Sequence, residues 1–111
     1  MLIQNIPKAE LKVMKFIWHI NDIVISKEVI NAMEFAWGWK ATTTLTLLSR
    51  LVKKNFLDAE KIEKYTHYTI LITEREYKAF ETKRFLEEVH SNSIESFIGS
   101  LEYCLIINEK T

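Results

Sequence analysis

At 111 residues the chain is long enough for one domain with a modest hydrophobic core and too short for most two-domain enzyme scaffolds. Hydrophobic residues make up 48% of it, and the single Pro and two Gly exclude collagen-like repetition, linker composition and wholesale disorder. The formal net charge is zero, so a nucleic-acid signal has to be local, and the lone Cys104 excludes an internal disulfide framework and a cysteine-rich zinc site.

The opening residues, MLIQNIPKAE, hold no basic segment leading into an apolar run, and no stretch approaches about eighteen consecutive apolar residues. The expectation is a soluble, cytoplasmic chain with no membrane partner. Charge is unevenly spread: through Ile70 there are ten Lys/Arg against seven Asp/Glu, and beyond it five against eight. From Gly38 to Leu57, GWKATTTLTLLSRLVKKNFL, four basic residues stand without an acid, as a phosphate-facing surface requires.

In chain order, Pro7 suits the first position of a helix whose Leu11, Val13, Met14, Ile17, Trp18 and Ile20 recur at helical spacing. Asn21-Asp22 stops it. The apolar run Ile23-Val24-Ile25 leads to Ser26, the expected N-cap of a second helix with Val29, Ile30 and Met33 on one face. Gly38 interrupts an aromatic connection holding Phe35, Trp37 and Trp39. A third helix follows from about Ala41 to Lys54, with Leu47, Leu48 and Leu51 inward, Lys53 and Lys54 at its C-terminal end, and Asn55 as a left-handed closing residue. Aromatic and β-branched residues from Phe56 to Ile72, with Lys61-Ile62-Glu63-Lys64 in the middle, predict a β-hairpin; lacking an Asn-Gly or Asp-Gly pair, its connection is expected to exceed two residues. Thr73 and Glu76 form a capping box that opens a helix carrying Tyr77, Phe80, Phe85 and Val89. After Ser91-Asn92-Ser93, a last helix bears the stripe Ile94, Phe97, Ile98, Leu101, Leu105.

Three helices followed by a hairpin is the order of a winged helix-turn-helix, in which the third helix enters the DNA major groove. On that helix Thr43, Thr46 and Arg50 share a face turned from the leucines, flanked by Thr42, Ser49 and Lys53. Hydroxyls can bond base edges and phosphates, and Arg can take guanine bidentately. Composition alone serves a solvated face equally well; the element order decides for DNA. The fold expected is mainly α with a small β-hairpin, residues 1–72 forming the winged-helix DNA-binding domain and 73–111 a helical dimerisation region.

These residues carry a resemblance. Trp39 to Asn55, WKATTTLTLLSRLVKKN, resembles the recognition-helix segment of the penicillinase repressor and methicillin-resistance regulator family, approximately Trp-Ser-Pro-Lys-Thr, two variable residues, Thr-Leu-Leu, one variable residue, Arg-Leu, one variable residue, Lys-Lys-Gly. Ile6 to Trp18, IPKAELKVMKFIW, is similar to the family's opening helix, and Phe80 to Glu102 to its dimerisation region. The resemblance implies a homodimeric repressor on a pseudo-palindromic double-stranded operator. It implies groove contacts by Thr43, Thr46 and Arg50, with Lys53 and Lys54 matching the paired lysines and Lys40, Thr42 and Ser49 beside them. Lys61 and Lys64 fall where family wings meet phosphate or minor groove, with Glu63 between them. It implies dimerisation through Phe85, Val89, Ile94, Phe97, Ile98, Leu101 and Leu105. Lys40-Ala41 replaces Ser-Pro, Leu45 replaces a common Lys or Arg, and Asn55 replaces Gly.

Family members can be relieved by a regulatory protease that cuts between Asn and Phe; the matching pair here is Ser100-Leu101, so the scissile pair is not preserved. Copper sensing by paired cysteines is rejected because Cys104 is alone. His19, His67 and His90 lack metal-ligand spacing and read as surface or capping residues, Trp18, Trp37 and Trp39 as core and staple residues, and Glu74, Glu76, Glu81, Glu87 and Glu88 as a solvated face. No metal, no cofactor and no enzymatic activity are expected. The alternative reading is a winged-helix module that binds protein and not DNA.

Overall fold

The computed structural model describes residues 2–110, with side chains through Ile106. The elements run α1 (Lys8–Ile20), β1 (Val24–Ile25), α2 (Ser26–Trp37), α3 (Ala41–Lys53), β2 (Leu57–Ile62), β3 (Tyr65–Ile70), α4 (Glu74–His90) and α5 (Ile94–Lys110). They pack as two units, one through Tyr77 and one from Lys78. The mainly helical winged fold expected from the sequence is the one observed.

In the first unit the three helices and the sheet share one core. Val13, Met14 and Ile17 of α1, Val29 of α2, Leu48 and Leu51 of α3, Val24 and Phe56 are all completely buried. Tyr77, in the first turn of α4, joins them: its ring lies 5.7 Å from that of Trp18 and meets Phe56 edge-on at 5.4 Å. Both polar ends are satisfied inside. The Tyr77 hydroxyl accepts from the Ile6 N–H at 3.1 Å, and the Trp18 indole donates to the Ile72 carbonyl at 2.9 Å.

Several helix ends follow the sequence. Asn21 (φ 55°) and Gly38 (φ 69°) close α1 and α2 in the left-handed conformation. Asn55 (φ 62°) does the same after α3, where Phe56 N–H bonds Leu51 O and Asn55 N–H bonds Val52 O, both at 3.0 Å, a Schellman closure made without glycine. Thr73 and Glu76 make the reciprocal capping box, with the Thr73 N–H on Glu76 Oε1 at 2.9 Å and the Glu76 N–H on Thr73 Oγ1 at 3.1 Å. Hydrogen bonding to Thr73, that of its backbone N–H foremost and its side chain second, holds the Glu76 carboxyl below its ordinary range.

Four expectations are corrected. Pro7 precedes the first residue of α1 and does not occupy it, its carbonyl accepting from Leu11 N–H at 2.9 Å. Ser26 is the first residue of α2 and not its cap; Ile25 stands there, its N–H held by the Glu28 carboxylate at 2.9 Å. The run before it is a strand as well as a lead-in: β1 pairs antiparallel with β3, Val24 opposite Tyr68 and Ile25 opposite His67, giving a three-stranded sheet in the order β1-β3-β2. Two residues are too few for alternation to show in a sequence. Finally, the hairpin connection is only Glu63-Lys64, since Ile62 and Tyr65 are directly paired. Glu63 takes the left-handed turn conformation (φ 57°), tolerated there at a cost of about 1 kcal/mol or more.

In the second unit Ser91 (φ 49°) and Asn92 (φ 65°) reverse the chain, and Ser93 caps α5 through its side chain on the Ser96 N–H at 3.1 Å. His90, expected at the surface or as a cap, is buried at 8% exposure. Its Nδ1 shares a 2.9 Å hydrogen bond with Ser96 Oγ, and Phe85 and Phe97 meet its ring edge-on. On α5, Ile94, Ile98, Leu101 and Leu105 are 47–64% exposed along one face.

Candidate nucleic-acid interface

The helix α3 is sharply two-sided. Thr44, Leu47, Leu48 and Leu51 are at most 5% exposed, whereas Thr42, Thr43, Thr46, Ser49, Arg50 and Lys53 are all exposed on the other side. Three buried leucines and Thr44 anchor the helix, so the outward side chains stand on a fixed platform. Thr42, Thr43, Thr46, Leu47 and Arg50 line a shallow groove of about 300 Å³ along it. The first turn holds no acid, and Lys40, at the cap position, makes no side-chain cap bond. The N–H groups of Ala41 and Thr42 therefore have no partner within the helix and favour an anion.

The outward hydroxyls differ in chemistry. Thr46 Oγ1 donates to the Thr42 carbonyl at 2.9 Å, which leaves its oxygen as an acceptor and its methyl free to make apolar contact. Arg50 projects from the third turn, and Lys53 follows at the C-terminal end. Lys54 lies apart from this row. Its ammonium meets the Glu10 carboxylate at 2.6 Å, with the Lys54 side chain 25% exposed and that of Glu10 2%. Lys54 therefore ties the end of α3 to α1 and, unlike Arg50 and Lys53, has a carboxylate beside its charge. At the wing, Lys61, Glu63 and Lys64 are all exposed, Lys61 opposite Thr66 on the strand pair and Lys64 in the turn.

Sequence reasoning passed over Glu10, although a signal was present: Glu10, Val13, Met14 and Ile17 fall at i, i+3, i+4 and i+7, which puts a carboxylate on the apolar stripe. It also passed over the buried Thr44, whose hydroxyl has no hydrogen-bonding partner among the described residues. Of the tryptophans, Trp18 is core as expected, but Trp37 is half exposed, offset-stacked on Trp39 at 6.4 Å and covered by Lys12 Nζ 3.7 Å from its ring centroid. The expected dimerisation residues Phe85 and Phe97 pack on His90, while Val89 is 60% exposed. Ser100 and Leu101 lie inside α5. Among the described residues no group of His, Cys, Asp and Glu is placed to hold a metal ion, and no helix is long and apolar enough to cross a membrane.

Comparison with known proteins gives a consistent result. Residues 6–102 match the family model described as "Penicillinase repressor". The chain is 33% identical over 96 residues to the penicillinase repressor of Bacillus licheniformis, covering 86% of this chain and 74% of that one. It is 30% identical over 94 residues to the methicillin resistance regulatory protein MecI of Staphylococcus aureus (strain N315), covering 85% and 76%. The solution structure of the DNA binding domain of the repressor BlaI superposes with a TM-score of 0.62 at 37% identity, over 68% of this chain and 92% of that chain. The solution structure of monomeric Bacillus licheniformis BlaI in complex with the blaP half-operator gives 0.58 at the same identity and coverage.

Proposed function

The chain belongs to the penicillinase repressor family, and from that premise we propose that it is a sequence-specific DNA-binding transcriptional repressor acting as a homodimer. The observation that carries the reading is the outward row of α3: hydroxyls and cations without an acid, standing on a helix fixed by Leu47, Leu48 and Leu51. A relative with the same winged fold is solved in complex with a half-operator.

In this reading residues 1–72 dock α3 in the major groove. Arg50 takes a guanine edge, Thr43 and Thr46 supply acceptor and methyl contacts, Thr42 and Ser49 face the groove on the flank away from Arg50, and Lys40 and Lys53 hold the flanking phosphates. Lys61 and Lys64 of the wing reach the adjacent backbone, the nearby Glu63 limiting their pull. Lys54 contributes by orienting α3 through Glu10, not by touching DNA. Residues 73–111 pair two copies through Phe85, Val89, Ile94, Phe97, Ile98, Leu101 and Leu105, so that two recognition helices face successive major grooves of a pseudo-palindromic operator, about 34–36 Å apart or a multiple of that. Occupying such a site denies it to the transcription machinery, and no catalytic step is required.

Titration of the purified protein against random duplex at several salt concentrations tests the class. Neutralised phosphates release counterions, so the expected result is binding that weakens linearly in log affinity against log salt. Absence of binding at low salt would assign the fold to protein recognition.

A further inference from the structure

Leu45 is the one large apolar side chain exposed on α3, at 43%, while Leu47, Leu48 and Leu51 are at most 5% exposed. It is no core residue displaced by poor packing. Thr42 lies one turn before it and Ser49 one turn after, both exposed, so it stands among the hydroxyls of the outward side. From Arg50 it is separated by about 7.5 Å along the axis and about 140° around it, which puts the two side chains on opposite flanks of the exposed face.

The major groove, about 12 Å wide, admits a whole helix, so side chains on either flank of its exposed face come within reach of base edges. An aliphatic side chain there can neither pair with a phosphate nor bond a purine edge. The one apolar group that the four base pairs present in the major groove is the thymine 5-methyl. Resting on the reading of α3 as the recognition helix, we propose that Leu45 reads a thymine methyl and is a specificity-determining residue of this chain. Arg50 and Leu45 then divide the half-site between them, one flank selecting guanine by hydrogen bonds and the other selecting thymine by burial of a methyl group.

The test begins with the site that the wild-type protein selects from a random duplex pool. Each thymine of that site is replaced in turn by deoxyuridine, which lacks only the 5-methyl, and affinities are measured for wild type, Leu45→Ala and Leu45→Lys. At one thymine the wild type is expected to lose about three- to fivefold in affinity, the worth of one buried methyl. Leu45→Ala should already be weaker on the unmodified site and indifferent to that replacement. Leu45→Lys should bind all duplexes more tightly at low salt, with a steeper salt slope and no thymine preference at that position. Deoxyuridine costs that are the same in wild type and Leu45→Ala at every position overturn the assignment while leaving the repressor reading in place. A pool from which the wild type selects nothing overturns the repressor reading, and this assignment with it.

Discussion

Two buried polar groups give the residue scale its clearest energetics. Glu10 is 1% exposed and depends on Lys54 for its counter-charge. Removing the lysine leaves a carboxylate in the interior, so Lys54→Ala should destabilise the protein by about 3–5 kcal/mol in denaturant titration. The double replacement Glu10→Leu with Lys54→Met removes both charges and should fall within about 1 kcal/mol of wild type; an additive double mutant would mean that the pair is not coupled. Thr44 is the opposite case. Its fully buried hydroxyl is unpartnered among the described residues, so Thr44→Val keeps the shape and removes the desolvated group. The expected gain is about 1 kcal/mol, read as a higher denaturation midpoint with DNA affinity unchanged.

At the scale of elements, the capping box of α4 predicts a pH dependence with a definite sign. The Glu76 carboxyl is held below the ordinary value of 4.5 by its bonds with Thr73, so the charged form is favoured in the folded state. The cap's contribution is therefore complete above pH 4.5 and is lost as pH falls through the lowered folded value. Wild type should melt higher than Glu76→Gln near neutrality, and the gap should close in acid; a constant gap would show that the carboxylate charge is not what the cap uses. That box was legible in the sequence, as were the stripes of α1 and α3 and the closure at Asn55, because each is set by side chains within a few residues of one another. What escaped depends on partners far along the chain. The strand at Val24-Ile25 exists because Tyr68 and His67 lie beside it, and Lys54 looked like a free cation because Glu10 is forty-four residues away. The two-residue turn escaped for a different reason: Glu63 adopts a conformation that its side chain does not favour. The outward row of α3 was readable from its period, but which of its basic residues remained available was not.

For the whole molecule, the proposed homodimer rests on the apolar face of α5. Ile94, Ile98, Leu101 and Leu105 are about half exposed, and a second copy of the same face would remove them from water. Leu101→Asp should yield a folded monomer in sedimentation at micromolar concentration, with operator affinity reduced because the second half-site is no longer tethered. A mutant still fully dimeric would place the contact elsewhere. Lys53→Ala should leave the dimer intact, weaken specific and random duplex alike, and reduce the salt slope by about one. The central claim, that α3 reads base sequence through its outward side, is tested most directly by one ratio: affinity for a selected operator over affinity for random duplex, measured for wild type and Arg50→Ala at the same salt. The account expects a folded Arg50→Ala protein whose ratio falls by about 1–3 kcal/mol while its binding to random duplex changes little; an unchanged ratio would contradict it and put another face of the molecule in the groove.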